Sequence, residues 1–171
     1  MEKQIRIYNY GFKELRTYLF VALFVIGNLL LPQLCHLIPN GGKILLPIYF
    51  FTLIASYKFG FKVGLMTAVL SPIINSLLFG MPALAILPAI LTKSVILAIA
   101  ASFIASKTNK VSLMNLLAII LIYQIVGTLA EWAMTSSLYL AIQDFRIGIP
   151  GMMVQLFGCY IILSQTDKIK S

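Results

Sequence analysis

Apolar residues fill this chain in long runs, and polar residues gather in the short gaps between them. A segment crossing hydrocarbon must satisfy its own backbone hydrogen bonds, so such runs predict helices. Crossing takes roughly 20 residues. Six runs are read this way: about 18–34, closed by Pro32 and Pro39; 44–57; 63–79; 83–105; 112 to at least 130; and 147–164. Pro47 and Pro150 fall near the start of their runs, where a missing N–H costs little. The second run is the shortest, and a tilted, broken or partly re-entrant segment is expected there.

Composition sharpens this picture. Of 171 residues, 60% are hydrophobic and only 11% charged, with a mean hydropathy of +0.97. A soluble domain carries about a quarter charged residues to hydrate its surface. Soluble enzymes, nucleic-acid modules and disordered tails are therefore excluded. The expected fold is an all-α integral membrane protein, a bundle of about six transmembrane helices forming one domain over residues 1–171. Within it, 1–16 is a basic segment, about 17–165 the bundle, and 166–171 a tail. The basic stretch from Lys3 to Arg16 is amphipathic enough to lie on anionic lipid.

The net charge of +8 is explained by orientation rather than by nucleic acid. Lys3, Arg6, Lys13, Arg16, Lys58, Lys62, Lys107, Lys110, Lys168 and Lys170 fall at the termini and the even-numbered loops. The opposite loops hold Lys43 and Arg146, and Lys93 lies inside the fourth span. By the positive-inside rule both termini are cytoplasmic, in a multi-pass protein of the bacterial plasma membrane. A cleaved signal peptide is not expected, because a long charged lead precedes the first run and no A-x-A site follows it.

Ionisable groups within the spans are the first functional candidates, since each costs about 2.5–3.5 kcal/mol to insert. Lys93 sits mid-span, where pairing with a carboxylate or helix-end carbonyls is the leading reading and ligand contact the other. Glu131 lies in the outer part of the fifth span beside Trp132. Either Glu131 faces an outward pocket with Trp132 offering a stacking face, or the two sit in the headgroup layer and aromatic belt. Asn28, Asn75, Gln124, Thr128, Gln155 and Tyr160 are uncharged polar groups at membrane depth, where packing between helices is the usual role. Asn75 and Gln155 are nonetheless pocket candidates by their level.

The loop after the first span, from Cys35 and His36 through Asn40 to Gly41-Gly42-Lys43, is rich in turn formers and donors. His36 and Asn40 are ligand candidates there; adjacent Cys35 and His36 chelate a metal poorly, and no metal or other cofactor is expected. Cys35 and Cys159 are too far apart along the chain's topology to suggest a disulfide, and Asp144 and Arg146 are read as a surface pair. One histidine and five scattered acids offer no nucleophile–base spacing, H-E-x-x-H or Walker motif, so no enzymatic activity is expected.

The stretch Tyr57-Lys58-Phe59-Gly60-Phe61-Lys62-Val63-Gly64 continues through Ser71-Pro72-Ile73-Ile74-Asn75-Ser76-Leu77-Leu78-Phe79-Gly80-Met81-Pro82 to Leu87-Pro88 and Lys93. This resembles the substrate-binding S-components of energy-coupling factor (ECF) vitamin transporters. The similarity concentrates in residues 44–105, with length and topology agreeing throughout. The resemblance implies one vitamin or precursor bound near the outer face, lined by outer loops and the last three helices. It also implies a membrane coupling subunit and two cytoplasmic ATPases as partners, with the S-component toppling to release ligand. Many members carry an alanine-x-x-x-alanine contact on the first helix; here Ala22 is followed four residues later by Ile26. Small pairs, Ala85 with Ala89 and Ala101 with Ala105, lie on the fourth span instead.

The leading expectation is a vitamin-capture subunit, whose binding Glu131→Gln or Trp132→Ala would weaken. The alternative is a membrane scaffold of the rod-shape-determining D type, which needs no pocket; an autonomous transporter is disfavoured because no inverted repeat is visible. An acid beside Trp suits thiamine or its aminopyrimidine precursor. Lys43 and Arg146 would instead suit a carboxylate-bearing vitamin such as biotin, folate or pantothenate.

Overall fold

The computed structural model describes residues 2–166; Asp167, Lys168 and Lys170 of the expected basic tail lie outside the described residues. Long helices run over Leu15–Cys35 (α1), Phe61–Phe79 (α4), Leu87–Thr108 (α5) and Leu113–Thr135 (α6). Between α1 and α4 come α2 (Gly41–Leu45), a 3-10 turn at Pro47–Tyr49 and α3 (Phe50–Phe59). After α6 follow α7 (Leu138–Ala141), α8 (Gln143–Ile147) and α9 (Ile149–Gln165). The all-α expectation holds apart from one short ribbon of β1 (Glu2–Gln4) and β2 (Lys110–Ser112).

The helices are built outward-apolar. On α1 the exposed residues include Leu19, Leu23, Ile26, Leu30 and Leu34, at helical spacing along one face. The opposite, buried face carries Thr17 and Asn28 beside Val21, Phe24 and Val25. α6 repeats this, with Leu121, Ile125 and Leu129 outside and Tyr123, Gln124 and Thr128 inside. Such a surface is satisfied by lipid, not water. Four helices, α1, α4, α5 and α6, are long and apolar enough to cross a bilayer, so this is a multi-pass membrane protein.

The other two expected spans are shorter than six full crossings would need. The second is broken: Leu46 takes a left-handed conformation (φ 47°) immediately before Pro47, whose ring bars an α conformation at the preceding residue. The chain therefore turns between α2 and α3, and α3 alone is only 10 residues, buried at nearly every position. The sixth is α9, of 17 residues, with Pro150 in its first turn. Two boundaries also moved. α1 continues through Pro32 to Cys35, and α5 starts at Leu87 because residues 83–86 form a turn. α3 and α4 meet at Gly60 (φ 87°), and a Cβ on Gly64 would run into the Ser56 side chain.

One end of the molecule is knitted from several connections. β1 pairs antiparallel with β2, Lys3 opposite Val111. The Tyr8 amide donates to the Lys58 carbonyl at 2.8 Å, and the Lys3 ammonium donates to the Ser164 carbonyl at the end of α9. The Ser112 hydroxyl caps α6 by accepting from the Asn115 amide. The N-terminal segment, the α3–α4 joint, the α5–α6 joint and the end of α9 thus share one end. Lys3, Arg6, Lys58, Lys62, Lys107 and Lys110 come with them. The amphipathic stretch is not a helix but an extended arm: Gln4-Ile5-Arg6-Ile7 alternates polar and apolar, and Ile5 is buried. Arg6 and Lys58 flank the Tyr8 ring at 5.3 and 5.8 Å from its centroid.

Candidate functional site

At the opposite end of the long helices, a cavity of about 420 Å³ opens between the end of α1, the α1–α2 loop, α4 and the start of α5. That is the size of small-molecule pockets, which are mostly apolar with a few placed polar groups. Pro47, Ile48, Pro82, Ile86 and Ile90 form apolar walls, while His36, Asn40, Lys43 and Asn75 supply the polar groups. His36, Asn40 and Lys43 are exposed and form the rim; Asn75 is 1% exposed. Three of the residues singled out in the sequence, His36, Asn40 and Asn75, therefore share one cavity.

The position of Asn75 follows from a proline. Pro32 has no N–H to give the carbonyl four residues back, which is that of Asn28. Asn75 Nδ2 supplies that bond at 2.7 Å. The Asn28 side chain meanwhile donates to Thr52 (3.0 Å) and Ser71 (3.1 Å), and accepts from the Phe51 amide at 3.3 Å. This buried network ties α1, α3 and α4 together and fixes which end of the Asn75 amide faces Asn28. The remaining atom, Asn75 Oδ1, is buried and has no hydrogen-bond partner. Leaving such an acceptor unpaired costs about 1–3 kcal/mol, and among the described residues Gln33 Nε2, Ser94 Oγ, Gln124 Oε1 and Thr128 Oγ1 are buried and unpaired likewise.

The second cluster centres on Lys93. Its ammonium lies 2.5 Å from Glu131 Oε2 and 2.7 Å from Asp144 Oδ2, with the lysine side chain 3% exposed and the carboxylates 15% and 17%. α5, α6 and α8 are thereby joined by one cation between two anions. α6 approaches closely here because residue 127 is glycine; a Cβ would lie 2.5 Å from Lys93 Cγ. The reading of Lys93 as a structural pair is the one the geometry supports, and Glu131 is engaged by Lys93 rather than standing free in a pocket. Asp144 does not pair with Arg146, contrary to expectation: it turns inward to Lys93, where a buried cation gives it a far stronger partner. Arg146 stacks over Tyr139, 4.5 Å from the ring centroid. Hydrogen bonding from Arg146, then its charge, holds the Tyr139 phenol below the ordinary tyrosine value.

The remaining candidates separate from the cavity. Trp132 is 47% exposed, on the α6 turn facing out of the bundle. Gln155 is fully buried: its Oε1 accepts from the Tyr123 hydroxyl at 2.8 Å and its Nε2 donates to the Leu46 carbonyl at 3.3 Å. It holds the strained Leu46 turn in place and is a packing residue. Ala101 and Ala105 are buried within the bundle, so that pair offers no outward patch in place of the first-helix motif; Ala22 and Ile26 are exposed. Cys35 and Cys159 are free, buried thiols, and no cluster of three metal-ligating side chains exists among the described residues.

Sequence reasoning missed Asp144 as the partner of Lys93, 51 residues away. The signal available was charge balance, since one interior cation faced two acids on the outer segments. It also missed the Pro32–Asn28–Asn75 relay, for which a proline four residues after a polar residue was the clue. No protein-family model matches this chain, and neither a curated protein nor a solved structure is detectably similar to it.

Proposed function

We propose that this chain is the substrate-binding subunit of an ECF-type transporter, capturing a vitamin or vitamin precursor at the outer face. The observation that carries the reading is the 420 Å³ cavity, apolar-walled with His36, Asn40 and Lys43 at its rim, at the end away from the cluster of basic residues. A scaffold has no use for a cavity of this kind, which suits a small ligand. In this reading the basic end is cytoplasmic by the positive-inside rule. The chain crosses the plasma membrane six times, the α2–α3 segment making one broken crossing and α9 a short one. It performs no chemistry itself; a membrane coupling subunit and two cytoplasmic ATPases drive import.

The test is extraction. The protein is purified in mild detergent, denatured, and the released small molecules are identified by mass spectrometry. A vitamin-like compound at about one per chain is expected. A protein that stays empty after growth on a full vitamin mixture would favour the rod-shape-determining type of scaffold instead.

A further inference from the structure

We infer, resting on the capture reading, that the cavity takes a small carboxylate with an apolar body. The polarity of the lining runs in one direction. At depth stands Asn75, whose Nδ2 is committed to the Asn28 carbonyl and whose Oδ1 has no surface open to a ligand. Above it the walls are Pro47, Ile48, Ile86 and Ile90, which exclude water and suit an apolar body. At the rim is Lys43, a lysine with no carboxylate within ion-pair distance among the described residues.

Among the described residues, no acidic side chain lines the cavity. The two acids of the outer segments, Glu131 and Asp144, are both bound to Lys93 instead. A cationic ligand would therefore meet Lys43 with nothing to offset it, whereas a carboxylate would gain a charge-assisted bond there.

The experiment uses the full chain in detergent and calorimetric titration with matched probes. Pantothenate, biotin and folate carry the carboxylate; panthenol and biotin methyl ester are neutral counterparts; thiamine is the cation. The expected result is that a carboxylate binds most tightly. Its neutral counterpart, and the exposed-site variant Lys43→Gln, should each weaken binding by about tenfold, while Lys43→Arg keeps it. Thiamine or a neutral probe binding best, or full affinity in Lys43→Gln, would overturn the inference and leave capture standing. If no probe binds to protein that still melts cooperatively, and extraction also finds it empty, capture itself fails and the inference goes with it.

Discussion

At the scale of single residues, Lys93 is the most consequential side chain in the molecule. One ammonium stands between two carboxylates, so removing it leaves two mostly buried like charges facing each other. Breaking a fully buried pair costs about 3–5 kcal/mol, and the partial exposure of Glu131 and Asp144 lowers that figure here. Lys93→Met should destabilise the protein by about 2 kcal/mol, read as a fall in melting temperature in detergent. The triple variant Lys93→Met, Glu131→Gln, Asp144→Asn should recover most of the loss, because it leaves no uncompensated charge. A triple variant no more stable than the single one would show that packing of the lysine stem, not charge, holds the cluster.

At the scale of elements, α5 and α6 meet where Gly127 lets the Lys93 stem through. Gly127→Ala puts a methyl on that stem, and overpacking of this kind costs about 1–3 kcal/mol. Yet alanine favours a helix over glycine by about 1 kcal/mol. The sign of the substitution should therefore depend on residue 93. In the parent Gly127→Ala should lower the melting temperature; in a Lys93→Ala background, with Cγ gone, it should raise it. The same sign in both backgrounds would mean that α6 shifts bodily to make room.

Elements were also the level most legible in the sequence. Long apolar runs marked α1, α4, α5 and α6, because hydrocarbon leaves a backbone few alternatives to the helix. The broken second span was foreshadowed by its shortness; Pro47, read as harmless near a helix start, is where the break falls. The β1–β2 ribbon was not seen, although the alternation through Gln4-Ile5-Arg6-Ile7 contained it; a three-residue strand is fixed by its partner, and partners do not show in a local pattern. The candidate site divided along the same line. Asn75 was found by its level along the span, since depth can be read from the ends of a run, and His36 and Asn40 by the turn formers and donors of their loop. Glu131 and Gln155 shared that level, yet they are committed to Lys93, Tyr123 and Leu46, choices set by helix rotation and long-range packing.

For the whole molecule, the knitted end gathers β1, β2, the α3–α4 joint and the end of α9, together with six basic residues of those segments. The cavity rim lies at the other end, with Lys43 as its lone cation among the described residues. Basic residues resist translocation, so the proposed insertion puts the knitted end in the cytoplasm and the cavity outside. The two native thiols are buried, which keeps background labelling low. A cysteine placed at the exposed rim position, Asn40→Cys, should react in intact cells with a membrane-impermeant maleimide. One at the exposed α5–α6 joint, Asn109→Cys, should react only after the membrane is opened. Capture from outside requires this order of labelling. The reverse order would turn the cavity toward the cytoplasm, and a subunit that takes up an external ligand could not work that way round.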